Sequence, residues 1–354
     1  MIQQALDKLA RDEDLSRGDA DAAMEEILAG RADEAQIAAF LTSLHSKGET
    51  AEEVVGFARA MRRHAAAIFP HGWKRAEPLV DTCGTGGDAK GTFNVSTAAA
   101  FVAAGAGVRV AKHGNRSYTS KCGSADVLEQ LGVRMDLGPE QVARAIEEVG
   151  IGFLYAPALH TAMRHALPVR RALKIRTVFN VLGPLTNPAG ASAQVVGVYA
   201  GNLTELVARA LGELGVKRAF VVHGADGLDE ISISGETHVA ELRDDGVTSY
   251  TLAPEDFGLA RAGLELIQGG DASANAQIIH KIFGRSMLVK ELGARRDIVV
   301  ANAAAAIVAA GKAGDFLEGA RLAAHSIDSG AARAKLDALV AFTQSVARER
   351  QTTT

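Results

Sequence analysis

The chain has 354 residues, 47% of them apolar, and a formal net charge of -4 at pH 7. That length allows a large core and two structural units. The slight acidity argues against a dedicated nucleic-acid binder, which would carry a clustered excess of Lys and Arg. No apolar stretch is long enough to cross a bilayer: the run from Ala98 to Ala106 is short, interrupted by Gly105, and reads as a buried helix. The opening Met1-Ile2-Gln3-Gln4 lacks the charged and apolar regions of a secretory signal. Two cysteines, Cys83 and Cys122, cannot build a disulfide scaffold, so both are expected as reduced thiols in a cytoplasmic protein. A nucleophilic Cys83 is set aside because no histidine base stands out.

From Ile2 to about Ala67 the apolar spacing is helical throughout. Leu6 and Leu9 open it, Ala22, Ile27 and Leu28 continue it, and Ile37, Phe40, Leu41 and Leu44 form a stripe, followed by Val54, Val55, Ala58 and Met61. Asp33 and Thr50 stand where helix N-caps are expected. Residues 1–72 therefore read as a small all-helical domain. Between Phe69 and Pro78 the periodicity stops, with two prolines, a glycine and the only tryptophan, which marks a linker.

Past the linker, residues 76–354 read as a larger α/β domain. Leu79-Val80 is a short strand, Ser96 to Ala104 a helix, Val108 to Ala111 a strand and Ala125 to Leu131 a helix. Gln194 to Tyr199 and Ala219 to Val222 are buried strands around a helix from Leu203 to Leu214, and Asn275 to Phe283 and Val299 to Ala310 are further helices. This alternation predicts a mostly parallel central sheet covered by helices. One segment, His160 to Leu182, is rich in Arg and His and interrupts the order; it is expected to return to the helical domain and cross the cleft.

Two glycine-laced turns follow short apolar runs: Asp81-Thr82-Cys83-Gly84-Thr85-Gly86-Gly87-Asp88 and Lys112-His113-Gly114-Asn115-Arg116-Ser117. Glycines let backbone N–H groups approach phosphate oxygens with no Cβ in the way. After the first turn, Asn94-Val95-Ser96-Thr97 opens a helix whose free N–H groups and hydroxyls add donors. Lys112 is a point charge suited to phosphate, Arg116 either pairs with phosphate or braces the loop, and Tyr118-Thr119-Ser120 add hydroxyls. His113 reads equally as a packed residue or a substrate contact. Asp229-Glu230, after a third apolar run, suit Mg2+, which takes a few carboxylates plus waters and substrate phosphates, with Ser96 able to complete the shell. Arg170 is a natural bidentate partner for a substrate carboxylate, although Arg164, Arg171 and Arg176 leave that choice open. Together these features point to an enzyme acting on a phosphorylated, magnesium-bound sugar.

In order, GTGGD, NVST, KHGNRS with SKCGSADVLE, PVRR, RTVFNVLGPLTNP and the Asp-Glu pair resemble the anthranilate phosphoribosyltransferase family over nearly the whole chain. The resemblance implies Mg2+-dependent transfer of a 5-phosphoribosyl group from phosphoribosyl pyrophosphate to the amine of anthranilate in tryptophan biosynthesis, by a homodimer. It implies a sugar-pyrophosphate site at Gly84, Gly87, Asp88, Thr92, Asn94, Val95, Ser96, Thr97, Lys112, His113, Gly114, Asn115, Arg116, Ser117, Tyr118, Thr119 and Ser120, with Lys112 stabilising the leaving group. Metal contacts fall on Ser96, Asp229 and Glu230, and anthranilate contacts on Gly84, Asn115 and Arg170. No general base is assigned, because an aromatic amine is already nucleophilic at neutral pH. Cys122 stands where the family usually has Ser, Thr161 where Pro is common, and Lys174 where Gly is usual. Two other readings remain: a pyrimidine nucleoside phosphorylase of the same architecture, and a catalytically silent paralogue that binds nucleic acid.

Overall fold

In the computed structural model, which describes residues 1–117, 121–244, 246–284 and 290–352, the chain opens with four helices. These are α1 (Ile2–Leu9), α2 (Arg17–Leu28), α3 (Glu34–Lys47) and α4 (Ala51–His64). Two of them start where the sequence places caps. Asp33 accepts from the Gln36 N–H while the Gln36 side chain bonds back to Asp33, and Thr50 with Glu53 repeats the arrangement on α4. Each such box satisfies two N–H groups that a helix start leaves without partners. Glu53 is fully buried and also takes the Leu15 N–H and the Lys47 ammonium, which ties α3, α4 and the turn before α2 together.

The rest is built from β1 (Leu79–Gly84), α5 (Val95–Gly105), β2 (Arg109–Gly114), α6 (Ser124–Gln130), α7 (Pro139–Glu148), β3 (Ile151–Tyr155), α8 (Ala156–Leu159), α9 (Leu167–Leu173) and α10 (Phe179–Leu185). Then follow β4 (Ala193–Gly197), α11 (Leu203–Glu213), β5 (Arg218–Gly224), β6 (Thr237–Arg243), β7 (Gly246–Leu252), α12 (Ala272–Phe283), α13 (Lys290–Ala309), α14 (Phe316–Asp328) and α15 (Ala331–Thr352). The sheet has seven strands in the order β3-β2-β1-β4-β5-β6-β7. Pairing is parallel from β3 to β5 and antiparallel for β6 and β7.

Two strands run further than their apolar runs alone predict. Asp81–Gly84 and Lys112–Gly114, read from sequence as turn, lie on β1 and β2, because pairing with β4 and β3 carries the ladder to Gly84 and Gly114. β3 itself was not anticipated; five residues interrupted by Gly152 carry too little periodicity to announce a strand.

The strand order reverses between β1 and β4, so the carboxyl ends of these two neighbours open a crevice where ligands of open α/β sheets collect. One face of the sheet packs on α5 and α13, the latter buried all round from Ile298 to Ala309. The other face packs on α11, and its core is continuous with that of α1–α4. Within the interposed segment, α9 packs on α3, the 3-10 turn Thr161–His165 on α2, and α10 on α4 and α11.

Candidate active site

Three chain segments meet at the β1–β4 crevice. The first is the turn after β1, where Gly86 and Gly87 take positive φ (66° and 83°) that a side chain would resist. Its position is set by Thr85, whose N–H donates to Gly197 O at 2.8 Å and whose hydroxyl accepts from the Tyr199 N–H at 3.1 Å. The second is the start of α5. The third is the loop after β5 carrying Asp229 and Glu230. This loop lies against the end of β4 so closely that a Cβ on Gly197 would stand 1.6 Å from the Asp229 carbonyl oxygen. Gly197 pairs with Gly84 in the sheet, so two facing glycines admit the acidic loop to the crevice.

Asp88 and Asp229 face each other, and Asp88 Oδ2 is buried with no hydrogen-bond partner. Burial, then the nearby Asp88 charge, raises the Asp229 carboxyl above its usual range; burial, then Asp229, raises Glu230. Glu230 Oε1 accepts from the Ser96 N–H at 3.1 Å, so the α5 start and the acid pair are joined. Carboxylates withdrawn from water and set against one another, with an acceptor left without a donor, fit a divalent cation. No group of three His, Cys, Asp or Glu side chains forms a ready-made cage among the described residues, so a cation here would complete its shell with substrate oxygens and water.

Lys112 is not the mobile charge its sequence context implies. It is 3% exposed, and its ammonium donates to Thr82 O and to Ser96 Oγ. Burial lowers its pKa while Asp81 and Glu230 oppose that shift. Lys112 is therefore a buried group fixed by two hydrogen bonds, with Asp81 and Glu230 favouring its charged form against burial. Asp81 is fully buried beside it, accepting from the His113 N–H and, at 2.7 Å, from Asn187 Nδ2.

His113 resolves as packed. Its Nδ1 can only donate to the Gly183 carbonyl at 3.2 Å, which leaves Nε2 to accept from His160 Nε2 at 3.2 Å. Arg116 resolves as a brace: it forms a bidentate pair with Glu129, reaches Asp126 and lies 5.8 Å from the centroid of the Tyr155 ring. Asp126 also accepts from the N–H groups of Ser117 and Gly123 and so pins both sides of the second loop. The Asn115 N–H donates to Ser124 Oγ at 3.2 Å. Tyr118, Thr119 and Ser120 lie outside the described residues.

Arg170 lies on α9 with its guanidinium 5.1 Å from the Phe179 ring centroid. Arg176, one of the ambiguous arginines, instead donates to Gly87 O and stacks 4.3 Å from the centroid of the Tyr199 ring. It joins the interposed segment to the first glycine turn. Neither this contact nor the Asn187 bond to Asp81 had a legible signal; both depend on residues about 90 or more positions apart being brought together.

A sequence model of the glycosyl transferase family helical bundle domain matches residues 3–65, and that of the family's a/b domain matches residues 76–333. An anthranilate phosphoribosyltransferase of Solibacter usitatus is 57% identical over 338 residues, covering 96% of this chain and 97% of that protein. The chain belongs to the anthranilate phosphoribosyltransferase family. Among solved members, the Thermus thermophilus structure superposes with a TM-score of 0.89 at 44% identity, over 96% of this chain and 99% of that one. The Saccharomyces cerevisiae anthranilate phosphoribosyltransferase, solved in complex with PRPP and Mg, gives 0.87 at 29% identity over 97% and 98%.

Proposed function

We propose that this protein transfers the 5-phosphoribosyl group of phosphoribosyl pyrophosphate to the anthranilate amine, giving N-(5-phosphoribosyl)anthranilate and pyrophosphate. The observation that carries this reading is the full-length likeness to transferases named for that reaction, on a chain whose glycine turn, helix start and acid pair share one crevice.

In the reaction the bond from the anomeric carbon to the pyrophosphate oxygen breaks, the pyrophosphate leaves with its bonding pair, a carbon–nitrogen bond forms, and the amine's proton passes to the released pyrophosphate or to water. Asp229 and Glu230 with Ser96 would hold Mg2+, which supplies charge neutralisation to the departing pyrophosphate. The turn amides from Gly84 to Asp88 and the N-terminus of α5 face the same leaving group, and Lys112 stabilises it from beside Ser96. Arg170, with Asn115 and Gly84, orients the anthranilate carboxylate; holding a neutral amine in line is the larger part of catalysis here. Residues 1–72 with the interposed segment 160–182 would form one wall and the rest of residues 76–354 the other, so that closure excludes water from the activated sugar.

We further infer a homodimer acting in the cytoplasm on tryptophan biosynthesis, in keeping with the family; no helix of the described residues is long and apolar enough to cross a membrane. Light scattering at micromolar protein should return twice the monomer mass; a monomer would remove the dimer from the proposal. The deciding experiment follows anthranilate fluorescence with phosphoribosyl pyrophosphate and magnesium. Turnover is expected, with a loss of about a thousandfold or more in the Asp229→Asn/Glu230→Gln variant. Phosphate-dependent cleavage of thymidine without anthranilate turnover would overturn the assignment.

A further inference from the structure

The start of α5 carries an unusual cap. Asn is among the residues that most favour the N-cap because its side chain can accept a hydrogen bond from the first turn. Asn94 occupies that position yet makes no side-chain cap to its own helix. Its carboxamide is used sideways. Oδ1 accepts from Asn275 Nδ2 at 3.0 Å and from Cys122 Sγ at 3.2 Å, and Nδ2 donates to the Cys122 carbonyl at 3.3 Å.

Asn275 lies on α12, 181 positions away, and is 1% exposed. Its Oδ1 accepts from the Gly270 N–H at 2.8 Å. The chain of bonds therefore has fixed ends: a backbone N–H that can only donate at Gly270, and a backbone carbonyl that can only accept at Cys122. With both ends defined, neither carboxamide can turn over without setting acceptor against acceptor or donor against donor. The surrounding backbone is joined as firmly. Gly269 N–H donates to Gly91 O at 2.8 Å, Thr92 and Gln268 form an antiparallel bridge, and a Cβ on Gly269 would stand 2.6 Å from Phe93 N.

We propose that Asn275 is a positioning residue for the sugar-pyrophosphate site. By holding the Asn94 carboxamide away from α5, it keeps Asn94 from capping the Thr97 N–H, the Ser96 N–H of the same turn being taken by Glu230, and so leaves the Thr97 donors to diphosphate oxygens. The buried Thr97 hydroxyl, which has no hydrogen-bond partner, lies in that same turn. Without Asn275, Asn94 is released to cap the Thr97 N–H and to compete with the substrate for it. The inference rests on the phosphoribosyl-transfer reading above, and it assigns to α12 a role in substrate affinity that its distance in sequence conceals.

The test uses Asn275→Asp, which keeps size and still accepts from Gly270 but cannot donate to Asn94. Steady-state kinetics on the full-length protein should show the KM for phosphoribosyl pyrophosphate raised about tenfold, the equivalent of one buried hydrogen bond, with the KM for anthranilate unchanged. In an Asn94→Ala background the same substitution should have no further effect. Equal rises in both KM values, or effects of the two substitutions that multiply, would overturn the proposal. Calorimetric titration of wild type and variant with phosphoribosyl pyrophosphate and Mg2+ separates this outcome from failure of the functional reading, since it needs no anthranilate turnover. If Asn275→Asp does not fold, Asn275→Ser, whose hydroxyl is too short to span Gly270 and Asn94 at once, is measured in the same assays with the same expected split.

Discussion

At Gly197 the smallest side chain decides where the acidic loop lies. A Cβ there would overlap the Asp229 carbonyl at 1.6 Å, and backbone cannot yield as a flexible side chain can. Gly197→Ala should destabilise the fold by about 3 kcal/mol through this forced shift. It should also lower kcat sharply, because Asp229 and Glu230 move with the loop. A chemical melt and a rate measurement on the same sample check both; full activity would show that the acid pair tolerates displacement. The candidate residues themselves were largely legible, since GTGGD, NVST and the Asp-Glu pair are short local strings. Their partners were not. Whether Arg116 meets phosphate or Glu129, and whether His113 meets substrate or His160, depends on α6 and on the segment after β3 arriving beside the second loop.

Among the elements, α4 is tied to the ends of α10 and α11 by Arg62. Arg62 Nε donates to Leu185 O at the end of α10 and Nη1 to Leu214 O just past α11, at 2.7 and 2.8 Å. It thus satisfies carbonyls that two helix ends would otherwise leave without partners. Burial pulls its pKa down to about 10, so it remains charged at neutral pH. Arg62→Met keeps much of the stem and removes both bonds; a loss of about 3 kcal/mol in urea denaturation is expected. A loss within the roughly 0.5 kcal/mol typical of surface changes would mean that water replaces the guanidinium freely. α3 and α4 were readable from sequence because each is announced by a cap, Asp33 or Thr50, that acts within four residues. β3 and the antiparallel pair β6–β7 were not, because a strand's identity is settled by its neighbours in the sheet.

For the molecule as a whole, the buried imidazoles give a pH dependence whose sign can be worked out. Burial lowers His113 to about 3 and His160 to about 4, against 6.5 for an unperturbed ring. The unfolded chain therefore binds protons first as pH falls. Stability from this pair is fully present above about 6.5 and declines as pH drops toward the folded values, by up to about 1.4 kcal/mol per pH unit for each ring. The raised Asp229 and Glu230 carboxyls take up protons in the folded state over the same window and oppose this slope in wild type and variant alike. Denaturation from pH 7.5 to pH 4.5 is therefore read as a difference: His160→Gln should lose less stability on acidification than wild type. An equal slope in the variant would place the acid sensitivity elsewhere.

Local strings of residues determined the class of ligand, the helical start, the alternating strands and the family, because phosphate-binding turns and helix caps act over a few positions. The tertiary structure decided which charges face the crevice and which are used in bracing. It also brought Asp229, Glu230, Arg176 and Asn275 to loops far away in the chain. The physical reason is that a polar group's role is set by its partner and its access to water, and both exist only after the sheet and its helices have packed.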